Sequence, residues 1–139
     1  MILLDTNVLS ELVRPVGAPP VLAFVRATKA ADLYTAAICE AELRFGVARL
    51  PEGRRRDDLV ARLDAFLAAL GARILPFDRA AANCFADIRA ARERAGRPIP
   101  LADALVAATA LAQGAMVATR NVGDFRGCGV GVVNPCDTP

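Results

Sequence analysis

The sequence predicts an α/β fold, a three-layer α/β/α sandwich around a mostly parallel sheet of four to five strands. Short apolar runs without alternation, such as Ile2-Leu3-Leu4 and Ala115-Met116-Val117-Ala118, read as strands covered on both faces. Segments of helical periodicity separate them, with connections too long for hairpins. The 139 residues fit one domain, spanning 1–139, with room for a core that needs neither disulfides nor a metal staple.

Taken in order, Ile2-Leu3-Leu4 is the first strand, and Val8 to Val13 is apolar at helical spacing. Asp5-Thr6-Asn7 therefore marks a handover from strand to helix at the carboxyl end of the sheet, the place where open α/β sheets bind ligands. A plainer use of Asp5 or Thr6 is to cap that helix. Pro15 to Pro20 is a loop, Val21 to Ala30 a helix with Leu22 and Val25 on one face, and Asp32 to Thr35 a short second strand. From Ala36 to Leu50 the periodicity is helical again. At about 100° per residue, Glu42 falls in a stripe with Ile38, Ala41 and Phe45, whereas Glu40 lies about 160° from its centre. A carboxylate on a core-facing stripe costs several kcal/mol unless it is paired or bound to a cation. The alternative is a half-buried helix whose Glu42 reaches the rim to meet an arginine.

Pro51-Glu52-Gly53 precedes a long amphipathic helix, Arg54 to Leu70, with Leu59, Leu63, Phe66, Leu67 and Leu70 on one side and Gly71 as its stop. Arg73 to Phe77 is a third strand. Asp78 suits the N-cap of a helix running to Ala95 and closed by Gly96. Arg89, Arg92, Arg94 and Arg97 crowd the end of that helix, where they offset its dipole; this is preferred to a phosphate-facing patch. After Arg97-Pro98-Ile99-Pro100, the stretch Leu101 to Ala112 has only Asp103 and Thr109 as polar residues, so a buried helix is expected. Asp103 occupies its first turn, where free N–H groups favour an anion. Dipole complementation alone does not explain why a helix with no other charge keeps this one. Past the strand Ala115 to Ala118, the stretch Thr119-Arg120-Asn121-Val122-Gly123-Asp124-Phe125 again collects small polar and acidic residues, although Asp124 beside Gly123 also reads as a turn residue. Val130 to Val133 is an edge-like strand and Asn134 to Pro139 a tail.

Composition narrows the function classes. No apolar run approaches the roughly 20 residues of a membrane span, and the amino terminus lacks a secretory pattern, so the cytoplasm is expected and no membrane. Net charge is only +2, which argues against strong non-specific nucleic-acid binding and leaves a nucleic-acid substrate open. Lys29 is the sole lysine among 17 basic residues. The four cysteines form no C-x-x-C pair and there is no histidine, which removes zinc sites and imidazole acid/base chemistry. Any hydrolysis must lean on carboxylates.

Right-handed crossovers would bring Asp5, Glu42, Asp103 and Asp124 to one edge of the sheet, where they could share a pocket. Clustered carboxylates raise one another's pKa unless a cation neutralises them. An all-oxygen donor set suits Mg²⁺, with Mn²⁺ as the alternative, and such ions serve phosphodiester hydrolysis.

Four motifs then carry a resemblance: Asp5-Thr6-Asn7, Ala41-Glu42-Leu43-Arg44-x-Gly46, Leu101-Ala102-Asp103-Ala104 and Thr119-x-Asn121-x-x-Asp124-Phe125. Their order along essentially the whole chain resembles PIN-domain ribonucleases, and more narrowly the VapC toxins of type II toxin–antitoxin pairs. The resemblance implies a Mg²⁺-dependent endoribonuclease that inhibits translation, a cognate VapB-type antitoxin as partner, and homodimers and toxin–antitoxin hetero-oligomers. Antitoxins of this kind insert a segment, often with an arginine, across the acidic pocket. It implies Asp5 and Asp103 as principal metal ligands, Glu42 as a further ligand or water positioner, Asp124 as a second-metal or outer ligand, and Thr6 and Asn121 as hydrogen-bonding support. Many PIN domains carry an acid where Asn121 stands, which bears on a second metal. Arg44, Arg49 and Arg120 are the basic residues expected along the path of the RNA. Attack by a metal-activated water, aligned by Glu42 or Asp124, would leave a 5′-phosphate and a 3′-hydroxyl.

Two rivals come from other classes. A haloacid-dehalogenase-like phosphatase also begins with a strand and a nucleophilic aspartate, here Asp5, but wants a second acid where Asn7 stands and a lysine that Lys29 is badly placed to supply. A non-catalytic PIN domain that only binds its partner is the other; all four acids being present gives it no support.

Overall fold

Each short apolar run becomes a strand, and every pairing between neighbours is parallel. The computed structural model describes residues 1–137, so the last two residues of the expected tail lie outside it. The strands are β1 (Ile2–Leu4), β2 (Leu33–Ala36), β3 (Ile74–Leu75), β4 (Met116–Ala118) and β5 (Val132–Val133), in the spatial order β3-β2-β1-β4-β5. Central β1 sets Leu3 opposite Tyr34 of β2 on one side and Val117 of β4 on the other. The chain steps outward from β1 to β3, then returns to the far side of β1 for β4 and β5. That reversal makes the gap between the carboxyl ends of β1 and β4 the switch point of the sheet.

Six helices flank the sheet as the expected α/β/α sandwich: α1 (Thr6–Val13), α2 (Pro19–Ala27), α3 (Ala37–Ala48), α4 (Arg54–Leu70), α5 (Arg79–Arg94) and α6 (Leu101–Gln113). Leu3, Leu4, Val117 and Ala118 are fully enclosed, as strands covered on both faces must be. Each such Leu or Val contributes about 1.5–3 kcal/mol through burial. The apolar α6 is buried from Val106 through Ala110, as its composition predicts, and α5 packs along it.

Several boundaries move for local reasons. Helix α2 starts at Pro19, two residues early, because a proline's fixed φ is preorganised for the first helical turn. It ends at Ala27, where the Thr28 hydroxyl donates to the Phe24 carbonyl, and Ala30–Asp32 forms a 3₁₀ turn. Strand β3 shortens because Gly71–Arg73 is also a 3₁₀ turn. There the Arg73 guanidinium donates to the carbonyls of Ala30, Leu33 and Ala69, and Pro76 has no N–H to extend the ladder.

Helix α3 corrects the sequence reading of its faces. Of the stripe Ile38, Ala41, Glu42 and Phe45, only Ile38 packs on the core: Ala41 and Glu42 are exposed, and Phe45 is 66% exposed. Cys39 is buried instead, and Leu43 and Val47 pack inward against Val13, Leu63 and Leu67. The helix has two apolar seams, Ile38–Ala41–Phe45 and Cys39–Leu43–Val47, and its own periodicity cannot choose between them. Contact with α1 and α4 selects the second. Glu42 therefore bears no burial cost.

Candidate active site

Asp5 follows β1 directly and is the N-cap of α1, its Oδ1 accepting from the Thr6 N–H at 2.8 Å. The plainer sequence reading holds, since the carboxylate caps the helix, and the cap lies at the switch point of the sheet. It is only 4% exposed. Its Oδ2 accepts from the Thr119 hydroxyl at 2.8 Å and from Asn7 Nδ2 at 3.3 Å. Thr119, the residue after β4, in turn accepts from Asn7 Nδ2 at 3.1 Å and from the Asn121 N–H at 3.0 Å. Asn7 Oδ1 accepts from the Arg120 N–H at 3.2 Å, so Asn7 pins the β1 and β4 termini together. Thr35 of β2 closes the floor by donating to the Leu4 carbonyl at 3.0 Å. The expected support from Asn121 thus comes from its backbone; Thr119 and Asn7 were not singled out as support. Their position just past the two switch-point strands was the available signal.

Glu42 reaches this floor from α3, its Oε1 accepting from the Thr6 hydroxyl at 2.7 Å. Asp103, in the first turn of α6, is half-buried, and its carboxyl is pushed up to about 6. Burial is the main cause, followed by the charges of Asp5 and Asp124, a hydrogen bond with Asp124, and the charge of Glu42. Asp5 is also raised, first by burial and then by Glu42 and Asp124, against the lowering effect of its Thr119 and Thr6 hydrogen bonds. Below it the buried Cys39 thiol is pushed up to about 12 by burial and by Asp5, which keeps it protonated and inert. The charges of Glu42 and Asp124 thus reach both Asp5 and Asp103, which brings the four acids to one end of the sheet. Among the described residues no three acidic, histidine or cysteine side chains close around one point as a ready cation cage. Mg²⁺ commonly takes one or two carboxylates and keeps several waters, so its fit rests on the oxygen-only donors and on their mutual repulsion, not on a closed cage.

The arginines separate by partner. Arg44 lies across α3 and α4, bonded to Glu40 at 2.8 Å and Asp64 at 3.0 Å. Arg120 is 3.4 Å from Glu11, a carboxylate that also meets Arg14 at 3.3 Å and the Ala18 N–H at 3.0 Å. Arg49 lies over the Phe45 ring and lines a cavity of about 450 Å³ that shares Thr6 and Glu42 with the acidic site. Arg14 and Arg55 line the same cavity, over an apolar floor of Val13, Leu43, Val47 and Leu59. Lys29 precedes β2, at the edge of the sheet opposite Asp5, so no lysine serves the site as a phosphatase would require.

A doubly wound parallel domain with linked acids at its switch point is the class that fold and site define. The family model described as the PIN domain matches residues 2–126, and the chain belongs to the PIN-domain family. Within it the chain groups with VapC and FitB toxins. It is 46% identical over 136 residues to the VapC ribonuclease Y4jK of Sinorhizobium fredii, covering 97% of both chains. Toxin FitB of Neisseria gonorrhoeae is 43% identical over 97% of this chain and 98% of its own length. Among solved structures, the crystal structure of FitAcB from Neisseria gonorrhoeae matches with a TM-score of 0.93 and 42% identity, covering 99% of this chain and 100% of that one. The FitAB complex bound to an IR36 DNA fragment matches at 0.94 and 41%, covering 100% and 98%. Among the described residues no helix is long and apolar enough to cross a membrane.

Proposed function

We propose that this chain is a Mg²⁺-dependent endoribonuclease that acts as the toxin of a type II toxin–antitoxin pair and arrests translation. The observation that carries the reading is that Asp5, held by Thr6, Asn7 and Thr119, lies at the switch point of a PIN fold. Glu42 is bonded to the same Thr6, and Asp103, bonded to Asp124, is near enough to feel the charge of Asp5. Asp5 and Asp103 would hold the ion, with Glu42 and Asp124 completing the acidic set; Mn²⁺ would substitute. When bound, the ion supplies Lewis-acid polarisation of the scissile phosphate and the positive charge that eases deprotonation of water.

The chain's own residues set the rest. Thr6, Asn7 and Thr119 fix both oxygens of Asp5, so the carboxylate is aimed before substrate arrives. Glu42, exposed and held at one oxygen by Thr6, is free at the other to align an attacking water and take its proton. With no histidine in the chain and Lys29 at the opposite end of the sheet, neither an imidazole nor an amine serves a ribose 2′-hydroxyl, and Glu42 is assigned to the water. Water attack then leaves a 5′-phosphate and a 3′-hydroxyl. Arg14, Arg49 and Arg55 would take the phosphates of the RNA strand as it leaves the acids along the adjoining cavity.

A cognate VapB-type antitoxin is the expected partner, covering the acidic hollow with a basic segment, and the toxin itself would pair as a homodimer. The FitAB complex among its structural neighbours supports the pairing with a partner chain. The decisive experiment compares wild type with Asp5→Asn for RNA cleavage in Mg²⁺ and in EDTA, and for growth arrest on induction. Cleavage and arrest should both need Asp5 and the metal. Equal toxicity of the two proteins, or a 2′,3′-cyclic phosphate product, would sink the reading.

A further inference from the structure

Arg92, on the last turns of α5, is buried at 6% exposure, and among the described residues no carboxylate pairs with it. Its donors go to main-chain oxygens instead. Nε donates to the Arg97 carbonyl at 2.6 Å, and Nη1 to the carbonyls of Asp124 and Arg126, both at 2.8 Å, with Cys128 Sγ at 3.5 Å. A buried guanidinium is costly, and charge-assisted bonds to carbonyls offset that cost. Arg92 stands in the last turn of α5, where the dipole reading expects it, but its guanidinium is turned inward onto these carbonyls.

The carbonyls it gathers belong to two segments that matter. Arg97 begins the Arg97-Pro98-Ile99-Pro100 approach to α6, whose first turn carries Asp103. Asp124 and Arg126 belong to the 3₁₀ turn Val122–Phe125 and its exit, anchored on one side by the buried Phe125. Beyond it Gly127 and Gly129 both have φ +77°, and no regular element constrains the chain before β5. One planar fork therefore ties the lead-in to Asp103 to the turn that bears Asp124.

We propose that Arg92 is a positioning residue of the acidic site, holding the main chain at Asp124 so that its carboxylate stays in register with Asp103. The inference rests on the metal-site reading above. It is tested by Mn²⁺ binding to the metal-free full-length protein, followed through the electron paramagnetic resonance of free Mn²⁺. The variants are Arg92→Lys, Asp124→Asn, the double substitution and Asp5→Asn, with the fold checked by circular dichroism. Outer residues that orient ligands typically change metal affinity by about 10–100-fold, and Arg92→Lys should weaken Mn²⁺ by about tenfold. In the Asp124→Asn background it should change affinity less than about twofold, because Arg92 would act through Asp124. A loss of the same size in both backgrounds, or none in either, overturns the inference. If Arg92→Lys does not fold, Arg92→Gln keeps a neutral donor and takes its place; if neither folds, Arg92 is a structural residue only and the inference fails. A site that needs Asp5 but ignores Arg92 sinks this inference alone, whereas Mn²⁺ binding indifferent to Asp5, or absent, sinks the metal-site reading and this inference with it.

Discussion

The Thr119 hydroxyl donates to Asp5 Oδ2 at 2.8 Å, across 114 positions of sequence. It does so because β1 and β4 are neighbours in register, with Leu4 opposite Ala118, so the residues that follow both strands meet at the switch point. Thr119 is fully buried, and its oxygen also accepts from Asn7 and from the Asn121 N–H. One hydroxyl thus orients the carboxylate, fixes Asn7 and anchors the turn leading to Asp124.

Thr119→Val keeps the shape and removes that hydroxyl. A hydrogen bond to a charged group is worth about 1.5–3 kcal/mol, so the loss should destabilise the protein by about 2 kcal/mol. Asp5, already raised by burial, loses its largest lowering influence and should rise further. Urea unfolding followed by circular dichroism at pH 7 reads the first effect, and an unchanged midpoint would show the bond to be energetically idle.

Gly17 has no room for a side chain. A Cβ there would sit 2.1 Å from the Glu11 carbonyl oxygen, a backbone atom that cannot swing aside. Gly17→Ala must therefore shift the loop after α1 and disturb the Ala18 N–H to Glu11 bond, and with it the carboxylate that meets Arg120. Overpacking of this kind costs about 1–3 kcal/mol, and a urea midpoint equal to that of wild type would show that the loop relaxes freely.

The architecture was legible because it depends on patterns the chain carries locally. Uninterrupted apolar triplets marked β1 and β4, and the nearly charge-free run from Leu101 marked α6. Asp5, Asp103 and Asp124 were legible as residues just past strands or in a first helical turn, and Glu42 through its motif in the body of α3. What escaped depends on tertiary choice. Two apolar seams on α3 are equivalent until α1 and α4 select one, so the sequence left both a core-facing and a rim position open for Glu42. The rim position is the one found, with Thr6 and not an arginine as its partner. Arg92 looks like its neighbours Arg89 and Arg94 in sequence, and only the packing of α5 on α6 turns it inward to the Asp124 turn.

Asp103 sets a pH dependence whose sign follows from its raised carboxyl, about 6 in the folded chain against an ordinary 3.8. Between those values the native protein holds a proton that the unfolded chain has released. Stability of the metal-free protein from this group is therefore complete below about pH 4 and lost as pH rises through 6. Asp103→Asn mimics the protonated form, so its advantage over wild type should be small at pH 4.5 and larger at pH 7. An ion held by Asp103, as proposed, would expel the same proton, so Mn²⁺ affinity should weaken as pH falls through about 6. Urea midpoints of both proteins at the two pH values decide the matter; a constant difference would mean that Asp103 titrates normally.

Arg49 and Arg55 share the cavity that opens on Glu42 and Thr6, and among the described residues neither forms an ion pair. Arg44, by contrast, has two carboxylates on it already. If RNA leaves the acids along this cavity, Arg49→Gln and Arg55→Gln should each raise KM for an oligoribonucleotide several-fold while leaving kcat close to wild type, since the acids are untouched. Each lost phosphate contact should also flatten the dependence of log binding on log salt by about 0.7. Arg44→Gln serves as the internal comparison and should leave both quantities where they were. Equal effects at all three positions would point to general charge instead of a path, and a kcat loss at Arg49 or Arg55 would move that residue from binding the strand to the chemistry itself.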